Sequence, residues 1–244
     1  METKKLRKVG VLLRDSWQTY IKNFSGLIRT YLYALIGFLP LMAVIVLFVA
    51  YRYSFVGMPL FWEVFLGVIL AYAAMFSLGF LIYMAVSAYL GLFAAIKDDF
   101  KSSPRKNLEK GKERFWSYIV ISILTFLLIL FWFTLLIIPA IVFSVFYGLA
   151  VYVLFFEGKR EMEAICRSKE LVKGHFWGVF GRILILFAIV IAISAVFSWL
   201  RGLGSEQGLW FSLMSALEQV VSFVITPFYI IYNYFIYKDL AKNS

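Results

Sequence analysis

The chain has 244 residues, of which 63% are apolar and 16% are charged, and its formal net charge is +10. Soluble domains average about 45–50% apolar and about 25% charged residues, so this composition excludes an ordinary soluble domain. The single cysteine, Cys166, excludes an intramolecular disulfide, and the single histidine, His175, excludes the usual Cys/His zinc sites.

The first predicted element is an amphipathic helix over residues 5–24. Its apolar side chains recur every three or four residues, while the basic side chains lie largely elsewhere on the helix. The apolar positions are Leu6, Val9, Leu13, Trp17, Tyr20 and Phe24. Such a helix can lie on anionic lipid in the plane of the interface, or it can be a linker that packs on its own bundle.

Long runs without charged residues predict transmembrane helices in the rest of the chain. A bilayer core is crossed by about 20 apolar residues. As one helix, the longest run, 115–156, would be about twice as long as the bilayer core is thick. Pro139 lies near the middle of this run, so we predict a turn there. The six predicted spans are 29–51, 62–96, 115–137, 139–156, 177–200 and 211–237.

The distribution of lysine and arginine orients these spans. Of the 24 cations, 22 lie in the N-terminal segment, in loop 97–114, in loop 157–175 together with Arg182, and in the C-terminal tail. The two others are Arg52 and Arg201. Short basic loops stay in the cytoplasm, which predicts that both termini are cytoplasmic. The residues predicted to face outward are 51–61, 138–139 and 201–210.

An internal repeat is suggested when Phe24, Phe115 and Phe176 are aligned. Each phenylalanine follows a basic helical segment and precedes an outward span and a returning span. We therefore predict an all-α membrane protein, a single domain over residues 1–244, in which six transmembrane helices form three hairpin repeats. A cytoplasmic amphipathic helix precedes each hairpin.

Chemistry-bearing residues do not combine into a recognisable catalytic, cofactor or metal site. We predict no enzyme activity, no catalytic residue, no cofactor and no metal. His175 fits an interfacial aromatic residue, and Asp98 and Asp99 fit a solvated ion-pair cluster with Lys97 and Lys101.

Span six carries a polar stripe, because polar residues repeat every three or four positions along it. The stripe comprises Ser212, Ser215, Glu218, Gln219, Ser222, Thr226, Tyr229 and Asn233. It could line a hydrophilic pathway, or it could pack against neighbouring helices. An ionised Glu218 at this depth would need a cation, and Arg201 could supply one only if its loop folds back.

Two stretches resemble a known group of proteins. The stretch "EAICRSKELVKGHFWGVFGRIL" and the ending "TPFYIIYNYFIYKDLAK" are similar to prokaryotic six-span proteins of poorly defined function. This group includes the membrane domain associated with glycerophosphoryl diester phosphodiesterases. In the ending, the matching positions are Pro227, Tyr237, Asp239 and Leu240. The resemblance implies a bacterial or archaeal cytoplasmic membrane, and it implies that catalysis belongs to a separate soluble domain.

Within the first stretch, Arg167, Ser168, Lys169 and Lys173 form a predicted cytoplasmic surface element. It could bind headgroups or a partner, or it could be an elbow at a helix end, with the Ser168 hydroxyl capping or bending the helix. Overall, we predict a non-enzymatic membrane protein that organises lipids or partner proteins. Its lipid contacts would be anionic headgroups at the cytoplasmic face, and we predict that it binds no nucleic acid. The alternative is a small-solute or lipid transporter with span six lining the path.

Overall fold

The structure is a computed structural model that describes residues 6–54, 59–204 and 208–242. Within these ranges the regular secondary structure is entirely helical, with ten α-helices, one 3₁₀ segment and no strand. The helices are α1 (Val9–Leu32), α2 (Phe38–Ser54), α3 (Leu60–Lys97), α4 (Pro104–Glu113), α5 (Phe115–Leu135), α6 (Ile137–Tyr147), α7 (Ala150–Phe156), α8 (Glu161–Val172), α9 (Phe176–Arg201) and α10 (Leu209–Ala241). The 3₁₀ segment, Tyr33–Gly37, joins α1 to α2.

Six helical segments in the described part of the chain are long and apolar enough to cross a membrane. They are Val9–Tyr51, Phe61–Lys97, Phe115–Thr134, Ile137–Phe156, Phe176–Arg201 and Leu209–Ala241. The all-α class and the number of apolar helices agree with the sequence prediction. Lys5 of the predicted N-terminal helix, and residues 55–58 and 205–207 of two predicted outer loops, lie outside the described residues.

The break between α5 and α6 falls slightly earlier than the predicted turn at 138–139. Leu136 adopts an extended backbone, with φ −163° and ψ 144°, and α6 begins at the next residue. Pro139 consequently lies in the first turn of α6, where the backbone N–H groups have no intrahelical partner in any case. The proline therefore marks the start of the second helix and not the turn itself.

The 3₁₀ segment in the first apolar stretch was not expected from the sequence. It ends at Gly37, where a Cβ atom would lie 2.8 Å from Leu81 Cα. Only a residue without a side chain allows this approach of the first apolar stretch to α3. The segment that precedes it, α1, runs without a break from the predicted amphipathic part into the predicted first span.

The described helices belong to two compact units. The continuous unit is Ser25–Trp116, and the composite unit combines Met1–Phe24 with Ser117–Ser244. In the continuous unit α4 packs on α3, whereas in the composite unit α8 packs on α6 and α7, and α9 packs on α10. α4 and α8 are separate helices before α5 and α9, but the first basic segment is part of α1, so the three-fold repeat remains a prediction.

Candidate functional site

The single carboxylate of the polar stripe on α10 is paired. Glu218 accepts a close hydrogen bond from the Arg201 guanidinium, which lies at the end of α9. The two side chains are 20% and 25% exposed, respectively. Arg201 is the last residue of α9, so the packing of α9 on α10 brings the guanidinium to Glu218 and supplies the counter-charge that a carboxylate among apolar helices needs.

The other polar groups of the stripe do not converge on one point. Thr226 Oγ1 donates to the Ser222 carbonyl, and Asn233 Nδ2 donates to the Tyr229 carbonyl, both at 2.9 Å along the same helix. Asn233 is buried, and Ser215 is half-buried. The exposed members of the stripe are Ser212, Gln219, Ser222 and Tyr229. Hydrogen bonding along the helix is a common way for hydroxyl and amide groups to be satisfied in apolar surroundings.

A cluster of charged side chains joined by several hydrogen bonds lies at the C-terminal end of α10. Asp239 accepts from Arg7 Nη2 at 2.7 Å and from Arg7 Nε at 2.9 Å, and Asp15 accepts from Arg7 Nη1 at 3.2 Å. The hydrogen bond to Asp239 raises the pKa of the Arg7 guanidinium, against the opposing effect of burial. Arg182 donates to the Arg7 carbonyl, so the cluster ties the N-terminal segment to both α9 and α10.

The predicted surface element lies on α8, and its arginine is bonded within the composite unit. Arg167 Nε donates to Glu157 Oε2 at 3.0 Å, and Tyr237 donates to the other Glu157 oxygen at 3.2 Å. Burial disfavours the charge on Arg167, but its bonds to Glu157 and Glu170 raise its pKa above the usual value. Arg167 therefore holds α8 against neighbouring elements and is not a free headgroup ligand.

Ser168 corrects the prediction of a four-residue surface element, because it is fully buried. It lies inside α8 and its hydroxyl donates to the Phe146 carbonyl on α6 at 2.7 Å, so it does not cap α8. Lys169 and Lys173 are exposed, and the Lys169 ammonium lies 5.6 Å from the centroid of the Phe143 ring. The surface part of the element is thus reduced to two lysines.

α1 presents two different apolar faces. Leu12 and Tyr20 are buried, and the Tyr20 hydroxyl donates to the Val224 carbonyl of α10 at 2.7 Å. Trp17, Ile21 and Phe24 remain exposed at 54%, 54% and 39%. The buried face fits the intramolecular-linker interpretation, and the exposed face supports the lipid-interface interpretation.

In the continuous unit, α4 is seated closely on α3. The Gly111 Cβ position would lie 2.8 Å from the Gly91 backbone nitrogen, and Asn107 Nδ2 donates to Thr30 Oγ1 at 3.3 Å. Asp98, at the end of α3, accepts close hydrogen bonds from Lys110 and Ser102. These two donors hold the pKa of Asp98 below its usual value. The main partner of Asp98 is therefore Lys110 on α4, and Lys97 of the predicted cluster adds a smaller electrostatic effect.

An open cleft of about 560 Å³ lies in the same unit, a volume within the range of about 300–1,000 Å³ typical of ligand sites. One wall comes from the end of α1 and the 3₁₀ segment, and the other from the start of α4. Its lining includes Arg29, Leu32, Tyr33, Ile36, Ser103 and Arg105. Sequence reasoning missed this site because the two arginines are far apart in the chain and only the folding of α4 towards α1 brings them to one cleft.

No protein-family model, no curated protein and no solved structure matches this chain. Among the described residues, no group of three or more histidine, cysteine, aspartate or glutamate side chains is placed to hold a metal ion.

Proposed function

We propose that this chain is a non-enzymatic multi-pass protein of a prokaryotic cytoplasmic membrane, and that it organises anionic lipid or partner proteins at a basic cytoplasmic face. The resemblance to the six-span group supports the prokaryotic membrane. The one-sided distribution of 22 of the 24 cations supports cytoplasmic termini and a basic inner face.

The observation that carries the proposal is that the two short basic helices, α4 and α8, are packed with one side buried and with cations exposed. α4 buries Asn107, Leu108 and Gly111, and α8 likewise buries one side of its helix. Each helix keeps exposed cations on its other side or at its end: Arg105, Lys106 and Lys110 on α4, Lys169 on α8, and Lys173 directly after α8. Basic side chains on helices fixed beside apolar spans are suited to the phosphate groups of anionic lipid, each contributing about 1 kcal/mol near a charged membrane surface.

The proposal is tested by the lipids that leave the membrane with the protein. Discs cut from native membranes with an amphipathic polymer should be enriched in anionic lipid relative to the whole membrane. Replacing Lys106, Lys169 and Lys173 with glutamine removes three positive charges and should reduce that enrichment without changing the fold. Discs with the bulk composition would contradict lipid organisation, and a protein that copurifies stoichiometrically would favour the partner-organising form of the proposal.

A small-solute or lipid transporter is the second candidate, and the Glu218–Arg201 pair is the feature that favours it. An ion pair among apolar helices can exchange partners with a charged substrate or with a proton. In this account the stripe on α10 lines the path, and the pair must open during transport. A flux assay with the Glu218→Gln variant would separate this function from lipid organisation.

A further inference from the structure

The geometry points to a specific phospholipid site in the cleft between α1 and α4, with Arg29 and Arg105 binding the phosphate and the apolar wall holding the start of an acyl chain. This inference rests on the proposed function and deepens it, because it assigns one bound lipid to one place. The cleft lies wholly within the continuous unit.

The charge at the mouth of the cleft is positive and accessible. Arg29 is exposed, and among the described residues no carboxylate pairs with it. The Arg105 side chain is 82% exposed and meets Glu109 at 3.4 Å, one helical turn along α4. Exposed pairs of this kind contribute little, so Arg105 can exchange Glu109 for a phosphate at small cost. A guanidinium matches phosphate geometry with two parallel hydrogen bonds.

The apolar wall distinguishes a lipid from a soluble anion. Leu32 and Ile36 line the cleft at 42% and 39% exposure; Leu32 follows Arg29 at helical spacing on α1, and Ile36 lies in the 3₁₀ segment that continues the chain. The cation therefore lies at one end of the wall, and the wall leads towards α2 in the first candidate span. A phosphate bound at Arg29 would place its glycerol and first methylenes beside Leu32 and Ile36.

The start of α4 adds a weaker attraction. Ser103 lines the cleft and is the N-cap residue of α4, and its hydroxyl accepts from the Lys106 backbone N–H at 3.5 Å. A helix N-terminus carries a partial positive charge that favours a nearby phosphate. The two arginines and the apolar wall remain the features that define the ligand.

The test is a titration of the full chain in neutral detergent with dioleoyl phosphatidylglycerol, with bound lipids counted by native mass spectrometry. The unsubstituted chain should retain one lipid more tightly than all later ones. Arg29→Gln with Arg105→Gln should weaken that first site about tenfold, because two charge-assisted contacts are lost. The matched control, Lys22→Gln with Arg160→Gln, removes two exposed cations outside the cleft and should leave it unchanged.

Three further arms make the test specific. Glu109→Gln should strengthen the first site, since it removes the carboxylate that competes for Arg105. Arg29→Lys with Arg105→Lys retains the charge and should still weaken binding, because lysine cannot form the two-pronged contact. Glycerol 3-phosphate should compete poorly, because it cannot use the apolar wall. Arg105→Gln alone gives the same direction of change if the double variant fails to fold.

Equal weakening by the cleft and control variants, unchanged binding in the cleft variants, or strong competition by glycerol 3-phosphate would overturn the lipid site. In each of these cases a preference for phosphatidylglycerol over phosphatidylcholine would leave the proposed function standing. The absence of any such preference in the unsubstituted chain would remove both the lipid site and the lipid-organising form of the proposed function.

Discussion

For the Glu218–Arg201 pair, the sequence predicts the need for a counter-charge but not the geometry that supplies it. A carboxylate inside an apolar helix is visible in the sequence, and so is its need for a counter-charge. Arg201 could be identified as the only candidate in the preceding predicted loop, but it is the last residue of α9, so its distance from Glu218 depends on how α9 packs against α10. The structure settles that geometry, and the same dependence explains why the Asp239–Arg7 cluster could not be predicted from its two distant residues.

The Glu218–Arg201 pair should show strong coupling in a double-mutant cycle. Glu218→Gln and Arg201→Gln each leave a partly buried charge without its partner, and each should lower the free energy of unfolding by between about 1 and 3 kcal/mol. The variant with both changes should recover much of that loss, as measured by thermal unfolding in detergent. Additive losses would show that the two side chains act independently.

A transport role for the same residue makes a different prediction. If the α10 stripe lines a path, Glu218→Gln should fold normally and lose flux or lose its pH dependence. Flux of a candidate solute into vesicles measures this, and Val220→Ala, at an exposed position of α10 outside the stripe, is a suitable control. Retained, pH-dependent flux in the Glu218→Gln variant would exclude this residue from the path.

Asp98 should make the docking of α4 sensitive to acid. Its pKa is lowered in the folded chain by Lys110 and Ser102, so its stabilising effect is present above the unfolded carboxyl pKa of about 4 and disappears as the pH falls through the folded value. Asp98→Asn should therefore speed amide exchange in α4 at pH 7 by at most about fivefold, because the pair is partly exposed. The difference between the variant and the unsubstituted chain should shrink progressively as the pH is lowered below about 4, and a difference that is the same at every pH would contradict this role of Asp98.

At the scale of helices, the apolar runs predicted the existence of the long elements well, because hydropathy and length decide whether a helix can cross a bilayer. The faces of those helices were less predictable. On α1 the sequence indicated one apolar face, whereas the structure buries Leu12 and Tyr20 and exposes Trp17 and Ile21. α1 has apolar side chains on more than one side, so periodicity alone does not identify the packed face, and the hydrogen bond from Tyr20 to α10 is one of the contacts that fix it.

The close seating of α4 on α3 gives a prediction with a matched control. In Gly111→Ala the new methyl group would collide with the Ser87 carbonyl and lie 2.8 Å from the Gly91 nitrogen. We expect a loss of about 1–3 kcal/mol in the free energy of unfolding. Gly26→Ala, on α1, meets nothing within 4 Å and should be neutral or slightly stabilising, because alanine favours helix over glycine. Equal melting temperatures for the two variants would contradict the packing.

At the scale of the whole molecule, the proposed function depends on where the charge lies with respect to the membrane. The six apolar helices establish a chain suited to multiple crossings, but their number alone does not orient them. The predicted orientation rests on the distribution of lysine and arginine in the sequence. The helices alone do not give it, because the bilayer and its charged inner surface are not part of the protein. The proposed lipid site and the proposed role of the basic helices both require that these basic segments face the cytoplasm.

Single-cysteine labelling measures that orientation most directly. In a Cys166→Ser background, Lys242→Cys should react with a membrane-impermeant reagent only after cells are opened, whereas Leu203→Cys, exposed beyond the end of α9, should react in intact cells. This result would place the basic segments against the anionic inner leaflet, as the account requires. Labelling of the 242 position from outside intact cells, with protection at position 203, would contradict it.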